Sequence, residues 1–189
     1  MQAIILCGGR GTRMKNLTDE LPKPLLPYLG KSLLEYKFES LPEQITDVIL
    51  VVGYLGNKIK DKIGDNYADR KISYVEQREL LGTANALHTA KDLIADQFVT
   101  MMGDDLYSEK DLQNLASQKT FTMLMGQNNI WTGAALLDKR FFELEQRRVE
   151  DKENEFGIPQ TLYFHQETHP INFILAEDWQ QISAPQDLK

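Results

Sequence analysis

Ala3-Ile4-Ile5-Leu6-Cys7-Gly8-Gly9-Arg10-Gly11-Thr12-Arg13-Met14 decides how the rest of the chain is read. Ala3 to Cys7 is a short continuous apolar run, the pattern of a strand buried on both faces. It runs directly into Gly8, Gly9 and Gly11. With so little side-chain bulk, backbone N–H groups there can turn toward an anion and approach it closely. Arg13 adds fixed positive charge, as does Lys23 in the segment Pro22-Lys23-Pro24-Leu25-Leu26-Pro27. A buried strand that feeds a glycine loop flanked by cations predicts a phosphate site.

The whole chain is compatible with that reading. Its 189 residues are 42% hydrophobic and 26% charged, ordinary proportions for a globular protein with a real core. The net charge of -7 argues against broad binding to nucleic acid or to an anionic membrane surface, both of which need a basic face. A small phosphorylated substrate needs only a few local cations. Cys7 is the only cysteine, so no intrachain disulfide forms and a reducing, cytoplasmic compartment is expected. Neither a leader pattern nor a membrane-spanning apolar run is evident.

Outward from the loop, strand and helix patterns alternate. Asn16 to Lys31 reads as a long loop, and Ser32 as the cap of a helix running to about Leu41. Asp47 to Gly53 is a second doubly buried strand. A helix over Asn57–Ile63, a strand over Lys71–Val75, a helix over Gly82–Ile94 and a strand over Gln97–Met102 follow. Glu109–Ser117 reads as a helix, Thr120–Met125 and Trp131–Leu137 as strands, and Lys139–Arg147 as a helix. Arg148–Glu155 reads as a charged, solvated loop and Gly157–His165 as a helix. Asn172–Ala176 and Trp179–Ile182 close the chain as a strand or strand pair. The alternation predicts one domain over residues 1–189, a three-layer α/β/α sandwich with a mostly parallel, mixed central sheet. Ligands of such sheets lie at the carboxyl ends of the strands. The glycine loop and Gly103-Asp104-Asp105 both follow strand ends, so they should share one cleft.

Two common phosphate motifs are excluded. Gly30-Lys31-Ser32 ends like a Walker loop, but Leu25 stands where its first glycine belongs. The dinucleotide fingerprint fails because Met14 occupies its third glycine position. What the residues do match is Gly9-Arg10-Gly11-Thr12-Arg13 followed by Pro22-Lys23-Pro24-Leu25. In this the chain resembles the sugar nucleotidylyltransferases, which join a sugar 1-phosphate to a nucleoside triphosphate and release pyrophosphate. Further matches come in the same order: Glu76-Gln77 with Leu81-Gly82-Thr83-Ala84-Asn85-Ala86-Leu87, then Gly103-Asp104-Asp105, Thr132-Gly133, and Trp179 to Leu188.

The resemblance implies a Rossmann-like nucleotidyltransferase fold and Mg²⁺ as cofactor. It implies a nucleotide held by Leu6, Gly8, Gly9, Gly11, Thr12, Arg13, Gln77, Gly82 and Thr83, with Gln77 selecting uracil or thymine and hence UTP or dTTP. Arg13, Lys23 and Asp104 would be catalytic, Asp104 and Asp105 metal ligands, and Gly133 and Asp105 part of the sugar-phosphate side. These residue types suit the chemistry. Attack by one phosphate oxygen on an α-phosphate gathers negative charge, and N–H groups, Arg, Lys and a metal ion stabilise it. Three departures fall on the metal and sugar side. Gln181 stands at the family's second metal-ligand position, the Glu-Lys-Pro segment before Thr132 is missing, and Ser183-Ala184 replaces a closing Gly-Thr. They leave two alternatives open: a nucleotide-binding module without catalysis, and a transferase for a non-sugar phosphate such as phosphocholine. Neither the acceptor nor a homo-oligomeric state is set by the sequence.

Overall fold

The computed structural model describes residues 1–188. Strand β1 (Gln2–Cys7) lies at the centre of an eight-stranded sheet. On one side of it run β2 (Asp47–Val52), β4 (Arg70–Glu76) and the short edge strand β3 (Asn66–Tyr67). On the other run β5 (Phe98–Met102), β7 (Trp131–Leu137), β6 (Thr122–Met125) and the edge strand β8 (Asn172–Leu175). The order is β8-β6-β7-β5-β1-β2-β4-β3. β1 is parallel to both neighbours, β2 is parallel to β4, and β8 is parallel to β6, whereas β7 is antiparallel to β5 and β6. The mixed, mostly parallel sheet expected from the sequence is therefore observed.

The two apolar faces of the strands explain the layers. In β1, Ala3, Ile5 and Cys7 face one core and Ile4 and Leu6 the other; in β2, Val48, Leu50 and Val52 alternate likewise with Ile49 and Val51. Helices α1 (Leu33–Ser40), α2 (Gly56–Ile63) and α4 (Glu109–Ala116) cover the first face through Leu34, Phe38, Ile59, Ile63, Leu112 and Leu115. Helices α3 (Gly82–His88) and α5 (Ile158–Phe164) cover the second through Ala84, Leu87, Ile158 and Leu162. α1 begins in a capping box. Ser32 Oγ accepts from the Glu35 N–H at 3.3 Å, and Glu35 Oε2 accepts from the Ser32 N–H at 2.8 Å.

Four stretches differ from the sequence expectation. Asn16–Lys31 is not a plain loop: a 3-10 stretch over Thr12–Thr18 runs into it, Lys23–Leu25 forms a second 3-10 turn, and Pro27–Tyr28 pairs with Lys31–Ser32. α3 stops at His88 rather than continuing to Ile94. The Thr89 hydroxyl turns back onto the Ala86 carbonyl at 2.6 Å, and only a 3-10 turn over Lys91–Leu93 follows. Lys139–Arg147 is helical only as a 3-10 stretch over Lys139–Glu143, because Leu144 must leave the helix to reach the core. The closing segments are not one pair. Asn172–Leu175 joins the main sheet, while Trp179–Gln180 pairs with Leu106–Tyr107.

Candidate active site

The register places Leu6 beside Met102 and Cys7 beside Val52. The glycine loop and Gly103-Asp104 thus emerge side by side at the carboxyl ends of β1 and β5. The chain winds away in opposite directions from these two strands, the place where open α/β sheets bind ligands. A cleft of about 290 Å³ opens there. Gly103 is needed for the approach. Its N–H donates to the Leu6 carbonyl at 3.0 Å, and a Cβ there would lie 2.7 Å from Cys7 Sγ.

Leu6, Gly9, Gly11, Thr12, Arg13, Lys23 and Asp104 line this cleft together. Arg13 and Thr12 are exposed at its rim, and Lys23 is buried in its wall. Met14, wholly buried with Leu26, Leu33 and Ile182, fastens the loop from behind. Lys23 opens a turn in which the Leu26 N–H donates back to the Lys23 carbonyl at 3.0 Å, and the adjoining Pro24 also lines the cleft. The Lys23 ammonium meets Asp104 Oδ2 at 2.5 Å, and their side chains are 8% and 24% exposed. Cys7 reaches the same wall, but burial pushes its thiol pKa far up and leaves it a packing residue.

Gln77, Gly82 and Thr83 lie next to the cleft rather than in its lining. Gln77 is buried at the end of β4, with its Nε2 donating to the Gly82 carbonyl at 3.4 Å. It lies flat against the glycine loop, where a Cβ at Gly8 would come within 2.6 Å of Gln77 Oε1. Gly82 packs under the backbone of Phe156, and Thr83 Oγ1 accepts from the Ile158 N–H at 3.1 Å. Gly82 and Thr83 are thereby engaged with a hairpin, Arg147–Arg148 against Phe156–Gly157.

Asp105 and Gly133, like Gly8, Gln77, Gly82 and Thr83, do not line the cleft. Asp105 turns inward, 7% exposed, and its Oδ1 accepts from the Ile182 N–H at 3.2 Å. Burial, with the Asp104 charge beside it, pushes its pKa up. Asp105, expected as a second metal ligand and a sugar-phosphate contact, does not line the cleft: it and Asp104 lie in the bend between β5 and Leu106–Tyr107, where Asp104 meets Lys23 and Asp105 meets the Ile182 N–H. Gly133 is buried behind Met102, into whose side chain a Cβ would run, so it shapes the wall without facing the cleft. Gln181 is exposed and does not line the cleft.

The structure adds Lys152 and Ser183 to the lining. Ser183 belongs to the closing segment, where Asp187 Oδ2 accepts from the Ser183 and Ala184 N–H groups at 2.8 Å each. Lys152 stands in the charged stretch that sequence reading assigns to a solvated loop. The hairpin, tied to α3 by the Phe156 N–H donating to the Leu81 carbonyl at 2.8 Å, carries it to the cleft. Nothing in the local sequence separates Lys152 from its charged neighbours.

Among the described residues no group of three His, Cys, Asp or Glu side chains is assembled for a metal ion. The donor set is one carboxylate, Asp104, at the edge of an open phosphate cleft. That suits Mg²⁺, which keeps several waters and is held by one or two carboxylates together with substrate phosphates.

A mixed α/β sheet with a glycine loop, three cations (Arg13, Lys23 and Lys152) and one carboxylate at its switch point is a nucleotide-binding architecture. The chain belongs to the nucleotidyl transferase family, whose family model matches residues 2–123. It is 34% identical over 158 residues to the bifunctional protein GlmU of Methanocaldococcus jannaschii, a match covering 82% of this chain and 38% of that one. It is 40% identical over 116 residues to the D-glycero-alpha-D-manno-heptose 1-phosphate guanylyltransferase of Campylobacter jejuni, covering 61% and 52%. The matches therefore span about half or less of these relatives' length. The structure of a UDP-glucose pyrophosphorylase from Acinetobacter baumanii superposes with a TM-score of 0.83 at 14% identity, covering 99% of this chain and 90% of that one. That likeness concerns the fold.

Proposed function

We propose that residues 1–189 form one nucleotidyltransferase domain that transfers a nucleoside monophosphate from a nucleoside triphosphate to a sugar 1-phosphate, releasing pyrophosphate. The observation that carries this reading is the convergence of Arg13, Lys23 and Asp104 on one cleft beside the glycine loop. Relatives named as a heptose 1-phosphate guanylyltransferase and a UTP–glucose-1-phosphate uridylyltransferase support a sugar 1-phosphate acceptor.

In this mechanism the loop from Gly8 to Thr12 offers backbone N–H groups to the triphosphate. Arg13, at the exposed rim, neutralises the leaving pyrophosphate. Lys23 exchanges Asp104 for a phosphate oxygen and stabilises the charge that develops on the α-phosphate. Asp104, once released, would hold Mg²⁺, which would supply charge neutralisation for the reacting phosphates. Lys152 closes over the phosphates from the hairpin, in place of the cation that the missing Glu-Lys-Pro segment would carry. Gln77, flat against Gly8, reads the base edge and favours UTP or dTTP, with Gly82 and Thr83 holding the wall behind it. Positioning and electrostatics suffice, and no covalent intermediate is required. The lone buried cysteine supports a cytoplasmic setting.

The test is pyrophosphate release with Mg²⁺ across the four common nucleoside triphosphates and a panel of sugar 1-phosphates plus phosphocholine. Turnover with UTP or dTTP and a sugar 1-phosphate is the expected result. Turnover only with phosphocholine moves the acceptor class. Nucleotide binding without turnover under every pair supports the binding-module reading, which Gln181 and the missing Glu-Lys-Pro segment motivate.

A further inference from the structure

The closing segment reaches the cleft from the β5 side, across the glycine loop from Gln77. Trp179–Gln180 pairs with Leu106–Tyr107 just beyond β5, whereas Gln77 follows β4 on the far side of β1. The Ile182 N–H donates to Asp105 Oδ1 at 3.2 Å, and the Ile182 side chain is buried with Met14, Leu26 and Leu33. Ser183 follows directly and lines the cleft together with Arg13, Lys23 and Asp104.

Backbone groups fix the turn that presents Ser183. Asp187 Oδ2 accepts from the Ser183 and Ala184 N–H groups at 2.8 Å each, and the Asp187 N–H donates back to the Ala184 carbonyl at 3.0 Å. The Ser183 hydroxyl takes no part in these bonds. Its neighbours offer no polar side chain, since Ile182 is apolar and buried and Ala184 ends in a methyl group. The cleft already gathers Arg13, Lys23 and Lys152, and at about 290 Å³ its lining groups share one small space. A hydroxyl in that wall can donate one freely oriented hydrogen bond to an anion without adding charge.

We propose that Ser183 is a substrate-contacting residue: its hydroxyl donates to a phosphate oxygen of a substrate held in the cleft. The identity of the substrates rests on the transferase reading, and the phosphate belongs either to the triphosphate or to the acceptor. A serine that served the turn alone would act through its N–H, and Asp187 keeps that contact whichever side chain stands there.

Ser183→Ala removes the hydroxyl and leaves the N–H to Asp187, so the melting temperature is expected to stay at the wild-type value. In the transfer assay the KM of the substrate whose phosphate is touched is expected to rise by about tenfold, the worth of one hydrogen bond to a charged acceptor. A rise for the nucleoside triphosphate assigns the contact to the triphosphate, and a rise for the sugar 1-phosphate assigns it to the acceptor. Titration calorimetry reads the same contact without turnover. With the four common nucleoside triphosphates and with glucose 1-phosphate as probes, Kd is expected to rise by about tenfold for the class that Ser183 touches. Unchanged KM and Kd values for both classes in Ser183→Ala overturn the proposal. A lowered melting temperature overturns it too, because it marks a residue of the turn. If the wild type releases no pyrophosphate with any pair, the transferase reading falls and calorimetry alone decides on Ser183. A wild type that binds none of the probes overturns both.

Discussion

Lys23 Nζ lies 2.5 Å from Asp104 Oδ2, although 81 residues separate them in the chain. Both residues line the cleft, and each neutralises the other there; in the proposed reaction a substrate phosphate would take the place of Asp104 at Lys23. Lys23→Ala removes the cation and Asp104→Asn removes the charged donor. Each is expected to lower turnover by about a hundred- to a thousandfold, the worth of one preorganised electrostatic contact in a transition state. Asp104→Asn should also raise the Mg²⁺ concentration for half-maximal rate, which Lys23→Ala should not. A Mg²⁺ titration of both variants checks this.

Lys152 touches the cleft from an exposed hairpin and is paired with Glu155 at 2.6 Å. Lys152→Ala is expected to leave the melting temperature unchanged, because exposed pairs contribute little to stability. The nucleotide KM should rise by about tenfold, roughly one charge-assisted hydrogen bond. The effect should shrink at high salt, where an exposed charge is screened. Steady-state kinetics at two ionic strengths measure it.

Gly8 and Gln77 are in such close register that a methyl group on Gly8 would press on Gln77 Oε1. Gly8→Ala is therefore expected to displace the Gln77 amide and flatten discrimination among nucleoside triphosphates. Gln77→Ala should flatten it without touching the loop. The ratio of kcat/KM for UTP against CTP reports both. An unchanged ratio in Gln77→Ala would remove Gln77 from base selection.

Glu35 anchors the start of α1, and the Ser32 hydroxyl and N–H hold its carboxyl pKa down to about 2. Its ordinary value lies near 4.5, so the stability it contributes is complete above about pH 4.5 and is lost as pH falls through about 2. Ser32→Ala removes one half of the box. It is expected to cost about 1 kcal/mol at neutral pH and to flatten the acid limb of the stability curve. Chemical denaturation at several pH values measures both effects.

Much of this molecule is legible in its sequence. Short-range physics wrote the doubly buried runs of β1 and β2, the cap of α1 and the glycine loop into local patterns of apolarity and residue size. Those patterns were enough to predict the mixed sheet and the strand ends after which the glycine loop and Asp104 follow. Helix lengths after Thr89 and Asp138 were not legible, because a side chain returning to the backbone, or a residue needed by the core, ended each helix early.

By itself, the sequence determined which residues could hold a triphosphate. Only the tertiary structure decided which of them face the cleft. The direction in which Asp105 points, the burial of Gly133 behind Met102 and the arrival of Lys152 from a distant hairpin all depend on contacts between segments far apart in the chain. Local pattern records a residue's type and period. It does not record which neighbour satisfies a buried charge, and that pairing sends Asp104 to the cleft and Asp105 to Ile182.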